Sequence, residues 1–103
     1  NAAAAFADAA YALALNPGSV PALLEHALAA EALAKPDVAL ADYGRALAAD
    51  PACLEALANR AMLHLQRDRK DDARADLQEF LRAAPPDHPR RGQVEEAVRR
   101  LQQ

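Results

Sequence analysis

Apolar residues along this chain recur at helical spacing, and no stretch alternates apolar and polar positions with the β-branched enrichment of a strand. In "VPALLEHALAAEALAK" (20–35), Leu23, Ala27 and Ala30 fall on one helical face. Leu57, Ala61 and His64 do the same in "LEALANRAMLHLQRDR" (54–69). Near the C-terminus, Val94, Ala97, Val98 and Leu101 form an i, i+3, i+4, i+7 stripe with charged residues elsewhere on the helix. The pattern predicts helices near 2–15, 20–34, 36–49, 54–67 and 70–84, then a shorter one after the start signal Asp87-His88-Pro89. Local chemistry agrees. Ser19 can cap the helix that follows it, and Pro21 sits in that helix's first turn, where a missing N–H costs least. Pro36-Asp37 places an acid at the positive end of the next helix dipole, and "RDRKDD" (67–72) supplies a polar turn.

Pro17, Pro51 and Pro85 lie 34 residues apart, and stacking the chain at that period aligns "AAFADAAYALALNP", "VALADYGRALAADP" and "DARADLQEFLRAAP". Small residues coincide at Ala5, Ala39 and Ala73, followed by Ala12-Leu13, Ala46-Leu47 and Phe80-Leu81. A fixed period of this length implies supersecondary units that cannot bury their apolar faces alone and must stack on their neighbours.

These residues resemble the tetratricopeptide repeat (TPR) family over roughly residues 2–87. The match lies in the small residues Ala5, Ala12, Ala27, Ala39, Ala46, Ala61 and Ala73, in Tyr43 at a usually aromatic position, and in the three prolines. The first helices depart from the family, with Leu23 and Leu57 where Trp is usual, His26 and Arg60 in place of Leu, and Ala30 and His64 in place of Tyr. The resemblance implies an all-α, right-handed α-solenoid of antiparallel helix pairs. Residues 1–19 would be the second helix of a truncated first repeat, 20–53 and 54–87 two repeats, and 88–103 a C-terminal capping helix. Phe80 replaces the alanine of the other units because the shorter capping helix is expected to pack over it.

The resemblance also implies a concave groove lined by first helices. Carried over, its positions are Leu24, Leu28 and Glu31 on one helix and Glu55, Ala58, Met62, Leu65 and Gln66 on the next, with Asn59 beside them. Pro21 and Ala32 complete the first set. The strip is apolar with a polar rim, and Met adapts its shape to a partner. It therefore implies a protein-interaction module that takes a peptide or helix of another protein. The carboxylate clamp of one TPR subtype is excluded: "NRA" at 59–61 matches part of it, but Leu24 and Leu28 stand where its Lys and Asn should be. Two alternatives remain open, a structural or oligomerising segment of a longer solenoid and an accessory domain of a larger enzyme.

Composition narrows the remaining classes. Alanine makes up more than a quarter of the 103 residues, only four are aromatic, and none is Trp. Ala favours helix and fills little space, so its helices can approach closely. The net charge of −3 is unevenly spread, with six acids against two bases in residues 1–50 and nine against ten in 51–103. Arginines of the second half alternate with acids and carry no aromatic residues among them, so no nucleic-acid surface is expected. No apolar run is long enough to cross a membrane. His26, His64 and His88 lack metal-ligand spacing and Cys53 lacks an activating base, so the sequence points to neither an enzyme nor a bound cofactor. His26 and His64 are expected as half-buried packing residues, and Arg90, Arg91, Arg99 and Arg100 as a solvated edge. The chain opens inside a helix without an initiator Met, as a piece of a longer protein would. Its N-terminal edge is then expected to be exposed and open to homo-oligomerisation, or covered by residues outside this stretch of sequence.

Overall fold

The computed structural model describes residues 1–103 and is built from six helices: α1 (Ala2–Leu15), α2 (Val20–Ala32), α3 (Pro36–Ala49), α4 (Leu54–Gln66), α5 (Lys70–Ala83) and α6 (Arg91–Leu101). The fold is all-α and TPR-like. None of the helices is long and apolar enough to cross a membrane.

The period of 34 is written into the backbone as well as the side chains. Each periodic proline excludes its predecessor from the helical region and so ends the helix before it. Asn16 (φ −144°, ψ 89°), Asp50 (φ −142°, ψ 92°) and Ala84 (φ −74°, ψ 144°) are extended accordingly. The first two then turn the chain with their own side chains. Asn16 Oδ1 accepts from the Gly18 N–H at 3.3 Å and Asp50 Oδ1 from the Ala52 N–H at 3.2 Å. Helices α2 and α4 finish differently, each with a left-handed residue just beyond its end, Ala34 (φ 59°) and Asp68 (φ 57°). Lys35 N–H then reaches back to Ala30 O, and Arg69 N–H to His64 O, both at 2.8 Å, closing otherwise open carbonyls. At the start of α2, Ser19 Oγ accepts from the Ala22 N–H at 3.3 Å, the expected cap.

The C-terminal helix begins later than its start signal suggested. His88 Nδ1 accepts from the Arg90 N–H and His88 O from the Arg91 N–H, both at 3.0 Å, so the chain turns over 88–91 and α6 opens at Arg91 without a side-chain cap.

The chain divides into two compact units, residues 1–56 and 57–103. In the first, α2 packs against both α1 and α3. Ala27, Ala30, Ala39 and Ala46 are completely buried, and the absence of longer side chains there lets the helix axes come close. Tyr43 fills the remaining space with no exposed surface, and its hydroxyl donates to Glu31.

In the second unit, α5 carries the buried Ala73, Asp76, Leu77 and Phe80, with Leu57 and Ala61 buried on α4 and Val94 and Val98 on α6. Two arginines hold α5 and α6 antiparallel. Arg91 Nη1 donates to Leu81 O and Ala84 O at 3.0 and 3.1 Å, supplying donors and positive charge at the C-terminal end of α5. At the opposite end, Arg74 Nη1 donates to Leu101 O at 3.1 Å. Arg91 is therefore a structural tie and not part of a solvated edge. Arg99 and Arg100 do remain at the surface, both hydrogen-bonded to Glu96. Phe80 is 1% exposed, and the His88 ring meets it edge-on at 5.2 Å.

Candidate functional site

The residues named from the sequence fall in both units. In the first, Leu24, Leu28 and Glu55 line an open hollow with Ala5, Val20 and Pro21. Leu28 is 46% exposed, high for a leucine in a helix of this packing. Glu31 is not part of this hollow; its carboxylate is engaged by the Tyr43 hydroxyl. In the second unit, Ala58, Met62 and Leu65 line a hollow with Leu77, Arg90, Gln93, Val94 and Ala97. Ala58 is buried there, whereas Met62 is 51% exposed. Leu65 continues into an adjoining hollow shared with Ala97, Arg100 and Leu101. Asn59 is half-buried and Gln66 exposed, and neither lines a hollow. The α6 side of the surface, Arg90, Gln93 and Ala97, was not anticipated. Its place follows from how α6 docks on α5, which no local pattern encodes.

Beside these surfaces lies a set of buried ionic contacts that the sequence reading passed over. Asp42 and Asp76, 3% and 6% exposed, sit one period apart on α3 and α5. Each meets a nitrogen donor from the preceding helix, and those partners, His26 and Arg60, are also one period apart. His26 Nδ1 lies 2.5 Å from Asp42 Oδ2; a carboxylate only accepts, so Nδ1 carries the proton. The other face of the imidazole stacks on Phe6 of α1, with ring centroids 4.1 Å apart. Arg60 makes the stronger form of the contact, with Nε and Nη2 at 2.8 and 2.7 Å from the two Asp76 oxygens. That hydrogen bonding holds the guanidinium pKa above its ordinary value. The signal was present in the alignment at period 34, where "AD" recurs at 7–8, 41–42 and 75–76. An acid repeated at one face of Ala-rich helices calls for a repeated partner.

His64 is half-buried, as expected, but poorly satisfied. Its Nδ1 is buried without a hydrogen-bond partner, and Nε2 lies 3.9 Å from Asp76 Oδ2. Burial pushes its pKa below the ordinary value of 6.5, against the opposing pull of Asp76 and Asp72. The folded state thus binds this proton less readily than the unfolded state. The associated stability is present above pH 6.5 and is lost as pH falls through the depressed folded value. Urea midpoints measured from pH 8 to pH 5 are expected to fall less steeply for His64→Leu than for the parent chain. Identical slopes would refute the assignment.

No protein-family model matches the sequence, and no curated protein matches it either. Among solved structures, the chain is similar to the Yersinia enterocolitica type III secretion translocator chaperone SycD, with a TM-score of 0.89 at 13% sequence identity. The match covers 98% of this chain and 72% of that one. With so little shared sequence, the agreement is one of architecture: the chain has the TPR-like helical fold.

Proposed function

We propose that this chain is a protein-interaction module of the TPR family, with repeats at 20–53 and 54–87 and a C-terminal cap at 88–103. Its first-helix surfaces take an apolar or amphipathic segment of a partner protein. The observation that carries this reading is the exposure of Leu28 and Met62, at 46% and 51%. They occupy the same place in successive repeats, and each borders a hollow with apolar walls. An apolar side chain kept exposed at a repeated position is suited to burial against a partner. The likeness to a chaperone, a protein whose work is to hold another, agrees with binding as the activity.

The test uses peptides selected from a random library for binding to the chain, with affinities measured by calorimetry. Leu28→Glu and Met62→Glu are each expected to weaken binding by roughly tenfold or more, the effect of losing one buried apolar anchor. Helicity should be unchanged, because both side chains are already at the surface. Unaltered affinity in both variants would remove this surface from the function.

A further inference from the structure

In the second unit, the hollow at Met62 and the one adjoining it share Leu65, Gln93 and Ala97, so together they make a trough between α4 and α6. Its floor is apolar, with Ala58, Leu77 and Val94 buried there. Helix α4 contributes Ala58, Met62 and Leu65, none of them charged. All of the charge comes from the α6 side, as Arg90, Glu96 and Arg100. Arg90, Gln93, Ala97 and Arg100 follow i, i+3, i+7, i+10 spacing and mark one edge of the trough. Ten residues of helix make that edge about 15 Å long.

The four arginines at 90, 91, 99 and 100 are not equivalent. Arg91 is engaged by carbonyls at the end of α5, and Arg99 and Arg100 share the one carboxylate of Glu96. Arg90 differs. Its backbone N–H is held by His88, but its guanidinium makes no hydrogen bond or ion pair. The first turn of α6 holds no acid to neutralise it. The trough therefore combines an apolar floor with an unmatched positive charge at the Arg90 end. The hollow of the first unit has the opposite sign, since Glu25 and Glu55 line it and no base does.

We infer, on the reading that Met62 belongs to a partner-binding surface, that the trough between α4 and α6 takes an acidic, apolar segment of that partner. One large apolar side chain of the segment packs against Met62 and Ala97, and an Asp or Glu beside it meets Arg90. A carboxylate there accepts charge-assisted hydrogen bonds from a guanidinium whose donors are all unused within the fold. A basic segment would instead meet Arg90 and Arg100 as like charges, with only the shared Glu96 to oppose them. The same acid is kept out of the Leu28 hollow, where Glu25 and Glu55 would repel it. Charge thus assigns the acidic part of the partner to the second unit.

The probe is the pool of random-library peptides selected on the parent chain, in which Asp and Glu are expected to outnumber Lys and Arg. Arg90→Glu should weaken the selected peptides roughly tenfold. Peptides whose carboxylate is replaced by Lys should regain affinity for that variant. An acid at a helix start suits the dipole, so circular dichroism should show Arg90→Glu folded. Arg82→Glu, the same change of charge on α5 outside the trough, should leave the affinity nearly unaltered because exposed charges are screened. Loss with Met62→Glu but not with Arg90→Glu would overturn the charge assignment and leave the binding surface standing. Insensitivity to Met62→Glu would overturn the inference, and insensitivity to Leu28→Glu as well would remove the whole surface. A neutral or basic pool, a selection without binders, failure of the charge swap, or equal loss with Arg82→Glu would also overturn it. So would a dimer in sedimentation that Arg90→Glu abolishes, which gives the trough to a second copy. Failure of a longer parent polypeptide to bind the pool would give it to a segment of the same protein and sink the inference too.

Discussion

Tyr43→Ala is expected to lower the stability of the chain by about 4 kcal/mol, in the range for deleting a fully buried aromatic side chain. Two effects add. The ring is completely buried, so its removal leaves a cavity in the core. The hydroxyl also satisfies Glu31, which is half-buried and would lose its partner. Against a total of roughly 10 kcal/mol for a chain of this size, such a loss should lower Tm by roughly 20 °C. Tyr43→Phe separates the two contributions, keeping the packing and removing only the hydrogen bond, with an expected cost of about 1 kcal/mol. Thermal melts followed by circular dichroism read both variants. Similar losses for Phe and Ala would mean that the hydroxyl, and not the ring, holds this region together.

Asp76→Ala is expected to cost about 3 kcal/mol by leaving the Arg60 guanidinium half-buried without its acceptor. The Arg60 and Asp76 side chains are 28% and 8% exposed, so water can replace only part of what the carboxylate provides. The double variant Asp76→Leu with Arg60→Met should recover most of the loss, because a packed apolar pair of similar volume has no desolvation penalty to offset. Urea denaturation of the parent, Asp76→Leu, Arg60→Met and the double variant completes the cycle and measures the coupling directly. If the double variant is as unstable as Asp76→Ala, the aspartate acts through some contact other than Arg60. The periodic pairs would then not be what specifies how each covering helix seats.

Much of the architecture is legible in the linear chain because its causes are local. A proline ends the helix before it by steric exclusion, so Pro17, Pro51 and Pro85 mark three helix ends without reference to the rest of the fold. A 3.6-residue stripe such as Leu23-Ala27-Ala30 marks the buried face of its own helix. Alanine at a repeated position announces close packing, and Ala27, Ala39, Ala46, Ala61 and Ala73 are indeed without exposed surface. The candidate surface was legible only in part. Leu28 and Met62 are exposed, whereas the Glu31 carboxylate is engaged by Tyr43 and Ala58 lies buried within its hollow.

What failed to show had a common origin in charge. In isolation Asp42 and Asp76 read as ordinary surface acids and His26 as a packing residue; Arg91 read as part of a solvated edge. Each is decided by an atom 7 to 16 residues away on a neighbouring helix. Helical periodicity fixes which way a side chain points, but whether a charge can be buried depends on the group it meets there. The sequence by itself therefore determined the helices, their ends, their 34-residue period and the close approach of their alanine faces. Only the tertiary structure decided which aspartates are paired and which apolar side chains remain at the surface, because each of these is a property of two helices together.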